Sequence, residues 1–251
     1  MRNVNLKDRI KFIGSDFFLN KSKTFCILPW MHMYVNTDSS VWSCCVNKTM
    51  TKETHGFKTN IMTQPIEEII NNDYFKQLRL DMLNDDMNEN CIDCYSLEES
   101  SGHSYRNDFN DQFKESFTKV LETNDDGSID NFETIYLDFR FSNLCNFKCR
   151  SCRPEWSSTW AKEAKDNEDH PYHEWDGHIP RHNLTEEQFI DRFKGTLKTV
   201  ERLYFAGGEP LAAKEQYWIL NYLIENNNTD LILEYNTNLS MLKNTKLKLS
   251  V

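Results

Sequence analysis

Three cysteines, Cys145, Cys149 and Cys152, follow one another in the spacing Cys-x3-Cys-x2-Cys. A short loop with three thiolates can wrap one corner of an iron-sulfur cubane, giving a [4Fe-4S] cluster. Four irons need four terminal ligands, so three cysteines leave one iron open to bind something else. Zinc is the rival reading, but structural zinc usually takes four ligands in paired Cys-x2-Cys knuckles and would need a fourth from elsewhere. Lys148, Arg150 and Arg153 make the loop electropositive, which favours thiolates over inert buried thiols.

A second group stands earlier: Cys26, the adjacent pair Cys44 and Cys45, and the knuckle Cys91-x2-Cys94. Cys26, one of the pair, Cys91 and Cys94 supply four thiolates, and on ligands alone an iron-sulfur cluster and structural zinc are equally open. Residues 1–12 mix Arg2, Lys7, Asp8, Arg9 and Lys11 with single apolar residues, so they hold no export signal, and no stretch approaches a membrane span. The expectation is a soluble, cytoplasmic protein with no membrane partner. In that reducing compartment eight cysteines are better spent on metal than on disulfides. A net charge of -10 disfavours a surface built to coat a phosphate backbone, so nucleic acid is not expected as a partner.

The elements that must position these thiols read in two blocks. Residues 25–28, 31–36 and 41–46 are rich in β-formers and flank the turn-like run Asn36 to Ser40, which predicts a hairpin. Pro65 then opens a helical stripe of Ile66, Ile69, Ile70, Phe75, Leu78, Leu80 and Leu83 that leads to Cys91. Hairpin and helix make a small α+β module. The charged segment 108–131, with Asn124-Asp125-Asp126-Gly127-Ser128, reads as a linker, so the expected domains are 1–125 and 131–251. In the second, strands are expected at 134–139, 200–206 and 230–236, alternating with helices at 155–165, 184–197 and 213–226. Thr185 and Gln188 stand in capping-box register for the middle helix. The class is α/β: about three βα units of a parallel sheet or a partial (β/α) barrel. The three-cysteine loop lies just past the first strand, where catalytic residues of such folds collect.

At this point the sequence resembles a known family. The Cys145-x3-Cys149-x2-Cys152 loop after a first strand is similar to the signature of the radical S-adenosylmethionine (SAM) superfamily, over roughly residues 134–251. The resemblance implies a partial radical SAM barrel whose open iron is chelated by the amino and carboxylate groups of SAM. It also implies reductive cleavage of the sulfonium to a 5'-deoxyadenosyl radical that abstracts hydrogen from a substrate. Gly207-Gly208-Glu209-Pro210 resembles the family's GGE motif, which implies that Gly207, Gly208 and Glu209 meet the SAM amino group. Paired glycines do let backbone approach a ligand, and a glutamate accepts from an ammonium. Taken alone the run is a strand-to-helix turn; its place one βα unit after the cysteine loop favours the motif. Asn236-Thr237-Asn238 resembles the run facing SAM's ribose or carboxylate, giving Asn236 and Asn238 as cofactor contacts, although Leu239 stands where glycine is common and a plain Asn-rich turn is the alternative.

The early cysteines resemble the auxiliary-cluster modules called twitch domains, related to SPASM domains, which hold a second iron-sulfur cluster. That implies Cys26, Cys44, Cys91 and Cys94 as its ligands. Cys44 is preferred to Cys45 because it aligns with a Gly-x4-Cys element, with Ser39 in place of the glycine, and because neighbours on a strand point to opposite faces. Glu98, Ser104 and Arg106 follow the knuckle, either orienting ligands or lying in a solvated loop.

Together the resemblances imply an oxidoreductase-like radical SAM enzyme. Its partners would be an electron donor such as flavodoxin or ferredoxin and an unidentified substrate, with a peptide as one candidate. The rival is a non-catalytic zinc- or iron-sulfur-binding fragment, favoured if the barrel is truncated: the family's core has about six βα units, and about three are read here. His170, His173, His178 and His182 are read as a solvated acidic insertion, Trp156 and Trp160 as core packing, and His32 as a packed residue.

Overall fold

The computed structural model describes residues 5–47, 59–174 and 182–242. The chain divides into two compact units, Met1–Tyr34 with Val41–Thr134, and Val35–Ser40 with Ile135–Val251.

The first unit opens with α1 (Leu6–Ile13), capped by Asn5 accepting the Asp8 N–H and burying Leu6 and Ile10. The expected strand at 25–28 is absent; the chain makes a 3-10 turn over Leu28–Trp30 around Pro29, which has no N–H to give a ladder. The hairpin forms as β1 (His32–Val35) and β2 (Val41–Trp42), but β2 stops at Trp42. The single helical stripe resolves into α2 (Ile66–Ile70) and α3 (Asp73–Asn84), because Asn72 accepts the Phe75 N–H and caps a fresh start. Then come α4 (Ile92–Ser101), α5 (Tyr105–Gln112) and a 3-10 stretch, Lys114–Glu122.

Segment 108–131, read from its charges as a linker, is therefore largely structured. Its Phe113, Phe117 and Val120 are buried, with the Phe117 ring 5.9 Å from Phe18 and 6.0 Å from Phe25. Only 124–128 behaves as the turn its composition suggests. Gly127 there has φ 82°, and a Cβ at that position would lie 2.4 Å from the Lys76 carbonyl oxygen.

The second unit is built on three parallel strands, β3 (Tyr136–Arg140), β4 (Arg202–Ala206) and β5 (Ile232–Tyr235), with Asp138 opposite Tyr204 and Tyr204 opposite Glu234. The connecting helices are α6 (Ser158–Asp166), α7 (Glu186–Thr199) and α8 (Lys214–Glu225), and Thr185 with Gln188 forms the capping box on α7. Leu137, Phe139, Leu203 and Phe205 share one face of the ladder and are fully buried. Phe139 meets Phe193 of α7 at 5.2 Å and Phe189 at 6.0 Å. Each such side chain contributes about 1.5–3 kcal/mol of burial.

The other face carries Tyr136, Asp138, Arg140, Tyr204 and Glu234. Burial pushes the Asp138 carboxyl up to about 6, against the pull of Arg140 at 3.4 Å. The class is thus mixed α/β, and no helix among the described residues is long and apolar enough to cross a membrane.

Candidate metal centres at two thiol groups

In the first unit, Cys26, Cys44, Cys45, Cys91, Cys94 and Arg106 line one cavity of about 520 Å³, counting its open mouth. Cys26 leads into the Leu28–Trp30 turn, Cys91 ends a 3-10 turn, Glu89–Cys91, and Cys94 sits in the first turn of α4. Cys44 and Cys45 occupy a turn beyond the end of β2. The alternation of a strand therefore does not separate them, and both face the cavity. Cys44 is the more enclosed and feels Cys91 and Cys26, whereas Cys45 is exposed.

The thiols are met by donors. The backbone N–H of Leu28 reaches Cys26, that of Val46 reaches Cys44, the Tyr95 hydroxyl reaches Cys91, and the Arg106 N–H and Ser104 hydroxyl reach Cys94. Donors of this kind favour a thiolate. Burial acts the other way and dominates, pushing Cys26 and Cys44 well above the usual thiol range and Cys91 up to about 12, with the neighbouring sulfurs adding to it. Such thiols become thiolates when a bound cation offsets their charge, which is the chemistry of a metal-thiolate site.

A single zinc draws its sulfurs to about 2.3 Å, hence about 3.8 Å from one another. Among the described residues no three His, Cys, Asp or Glu side chains are gathered closely enough to hold one ion. The cysteines instead stand around the cavity wall. Asn90 lines the same wall, and its buried Oδ1 has no partner among the described residues.

The second group lies past the C-terminal end of β3. The loop is anchored at both sides: the Cys145 N–H donates to Ser158 Oγ at 3.1 Å, and Ser157 Oγ and Thr159 Oγ1 donate to the Phe147 carbonyl at 2.8 and 2.7 Å. Trp160 Nε1 donates to the Cys149 carbonyl at 2.8 Å, so this tryptophan orders the cysteine loop rather than only filling core. A turn bond of 2.9 Å from the Cys152 N–H to the Cys149 carbonyl closes the far end. Cys149 is exposed and its two partners half-buried. Burial raises Cys152, and the adjacent Cys145 and Cys149 push the same way.

Gly207 and Gly208 meet this loop directly. The Gly208 N–H donates to the Ser142 carbonyl at 2.9 Å and the Glu209 N–H to the Leu144 carbonyl at 2.7 Å. A Cβ on Gly208 would lie 2.2 Å from the Leu144 oxygen, and Gly207 has φ 99°. Only glycines allow that approach.

Glu209, 2% exposed, accepts from the Leu211 N–H (3.0 Å), Thr237 Oγ1 (2.6 Å) and the Asn238 N–H (2.8 Å). Asn238 Nδ2 in turn approaches Cys145 Sγ at 3.8 Å and Asn146 Oδ1 at 3.1 Å. The ends of β3, β4 and β5 are thus tied together around Cys145. Asn236 continues β5, its N–H bonded to the Phe205 carbonyl at 3.0 Å. Leu239 takes φ 60° and Ser39 φ 68°, so both residues that replace an expected glycine hold a backbone conformation that glycine adopts most easily.

The remaining histidines do not converge. His170 lies against Trp160 at 5.3 Å, His173 Nδ1 meets the Ala164 carbonyl at 3.1 Å, and His182 pairs with Glu215 at 3.1 Å; His178 lies outside the described residues. His182, read as part of a solvated insertion, is in fact buried with its acid.

Sequence reasoning missed the contacts with the cysteine loop of Trp160, 11 positions from Cys149, and of Asn238, 93 positions from Cys145. A partial signal existed in Ser157, a cap residue at the start of α6. No curated protein and no solved structure matches the chain. A family model does: that of SPASM, an iron-sulfur cluster-binding domain, matches residues 26–95, the stretch that holds all five thiols of the first cavity and marks it as iron-sulfur-binding.

Proposed function

We propose that the chain acts as a radical SAM enzyme, with a [4Fe-4S] cluster held by Cys145, Cys149 and Cys152 and an auxiliary iron-sulfur cluster held by Cys26, Cys44, Cys91 and Cys94. The observation that carries the reading is the convergence of three parallel strand ends on one loop. Three thiols follow β3, a glycine pair follows β4 and packs against that loop, and Asn238 follows β5 and reaches Cys145. Three thiols with one coordination position left over suit a ligand that must be bound and released.

When bound, the cluster would supply one electron to the sulfonium of SAM. The chain's own residues do the rest. Ser157, Ser158, Thr159 and Trp160 fix the backbone of the loop that carries the three thiols, at the Cys145 N–H and at the Phe147 and Cys149 carbonyls. The glycine pair brings backbone to the same place, where it can meet the amino and carboxylate groups of SAM. Glu209 holds Thr237 and Asn238 at the rim. In the first unit, the apolar wall of the cavity, with Leu28, Met82 and Phe109 beside the thiols, suits electron relay or substrate anchoring. A flavodoxin or ferredoxin would be the electron source, and the substrate class is open.

One feature favours a second reading, a structural iron-sulfur protein without SAM chemistry: the Glu209 carboxylate is already engaged by three protein donors. Anaerobic reconstitution followed by reduction in the presence of SAM separates the two. Formation of 5'-deoxyadenosine that is lost in Cys149→Ala supports the enzyme; an iron- and sulfide-loaded chain that leaves SAM intact supports the structural reading.

A further inference from the structure

The tail that follows the Cys91/Cys94 knuckle is not a solvated loop. Ser104 caps α5, and Arg106 sends its side chain inward to a position 3% exposed. Its guanidinium forks onto both carboxylate oxygens of Glu98, with Nε at 2.8 Å from Oε1 and Nη2 on Oε2. Nη1 donates to the carbonyls of Ser22 at 3.2 Å and Phe25 at 2.7 Å. The Phe25 carbonyl also accepts from Asn110 Nδ2 at 3.0 Å, and Asn110 Oδ1 accepts the Ile27 N–H at 2.9 Å. Cys26 is therefore gripped on both sides, by Arg106 and Asn110 before it and by Asn110 after it. The backbone N–H of the same arginine reaches Cys94.

The charge is placed as deliberately as the hydrogen bonds. Arg106 lines the thiol cavity and Glu98 does not. The guanidinium acts electrostatically on Cys26, Cys91 and Cys94. A planar fork that is always protonated suits such a place better than lysine, which would make one of these bonds at a time. An iron-sulfur cluster on four thiolates is an anion, and taking up an electron makes it more so; net charge and hydrogen bonding near the sulfurs set its potential. A cation at the wall favours the reduced form, and a carboxylate behind it opposes that.

We infer that Arg106 is a positioning residue for the auxiliary cluster, holding the Cys26 and Cys94 segments in register and raising the cluster's reduction potential, with Glu98 as the counterweight that sets by how much. The inference rests on the reading that this cavity holds the auxiliary cluster.

The test uses the full chain carrying Cys145→Ala, Cys149→Ala and Cys152→Ala, so that only the first cavity can be loaded. It is reconstituted anaerobically with iron and sulfide and titrated with dithionite, the midpoint potential being read by electron paramagnetic resonance. Glu98→Gln should move the potential in the positive direction and Arg106→Met in the negative direction, with Arg106→Lys between Met and the parent. Unchanged potentials at full iron and sulfide content, or shifts of the same sign in Glu98→Gln and Arg106→Met, overturn the inference. If Arg106→Met fails to hold the cluster, Glu98→Gln decides alone: a positive shift supports the inference and no shift overturns it. If the parent takes up no iron and sulfide, the reading of the cavity fails first and the inference falls with it.

Discussion

The two thiol groups differ in what surrounds them. The first is sunk in an apolar cavity whose buried cation, Arg106, is matched by a half-buried carboxylate, Glu98. Burial there pushes Glu98 up, but the hydrogen bonds from Arg106 and Ser104 outweigh it and hold the carboxyl below its ordinary value. The second group is a loop at strand ends with Cys149 exposed; the strand that leads into it, β3, carries a buried carboxylate, Asp138, that burial has pushed up despite Arg140. Enclosure suits a cluster that only passes electrons or holds a ligand in place. Exposure and one spare coordination position suit a cluster that must exchange its ligand.

The largest effect should come from Gly208→Ala, whose new methyl would collide with the Leu144 backbone. It should remove the second cluster and leave the first, halving iron and sulfide, with an overpacking cost of about 1–3 kcal/mol in thermal unfolding. A variant that keeps both clusters would break the link between the glycine pair and the cysteine loop. Next in size is a difference in lability. A chelator added to the loaded protein should strip iron in two phases, the fast one missing from the Cys145/Cys149/Cys152 variant; a single shared rate would show that enclosure does not distinguish the sites.

Asp138 sharpens the electrostatic half of the comparison. Its folded pKa of about 6 lies above the ordinary aspartate value of 3.8, so the native state binds more protons between those values. Stability therefore falls as pH rises through that window, and the penalty stays in full above it, at roughly 3 kcal/mol. Asp138→Asn in the metal-free chain should be the more stable protein near neutral pH, less the contribution of Arg140, with the gap closing at about pH 4. A gap that does not change with pH would put the cost elsewhere. The smallest expected effects are at Ser39→Gly and Leu239→Gly, each relieving a left-handed backbone and adding about 1 kcal/mol in denaturant unfolding.

These residues also show what the sequence could and could not reveal. The thiol groups, the three strand and helix units of the second unit and the Thr185 cap are legible because spacing and periodicity are local properties. The turn holding Cys44 and Cys45 is not, since β-rich composition through 41–46 gives no sign that pairing stops at Trp42. Segment 108–131 misleads because its charges outnumber the few aromatics that bury it. The Arg106 clamp on Phe25 and the Asn238 contact with Cys145 join residues 81 and 93 positions apart, which one sequence cannot pair.

The claim of two separate clusters is met most directly by counting iron and acid-labile sulfide in the anaerobically reconstituted chain, beside a Cys26/Cys91/Cys94 variant and a Cys145/Cys149/Cys152 variant. The account predicts about eight of each per chain in the parent and about four in either variant, as two four-iron clusters require. Iron unchanged in both variants, or zinc without sulfide in the parent, would contradict it.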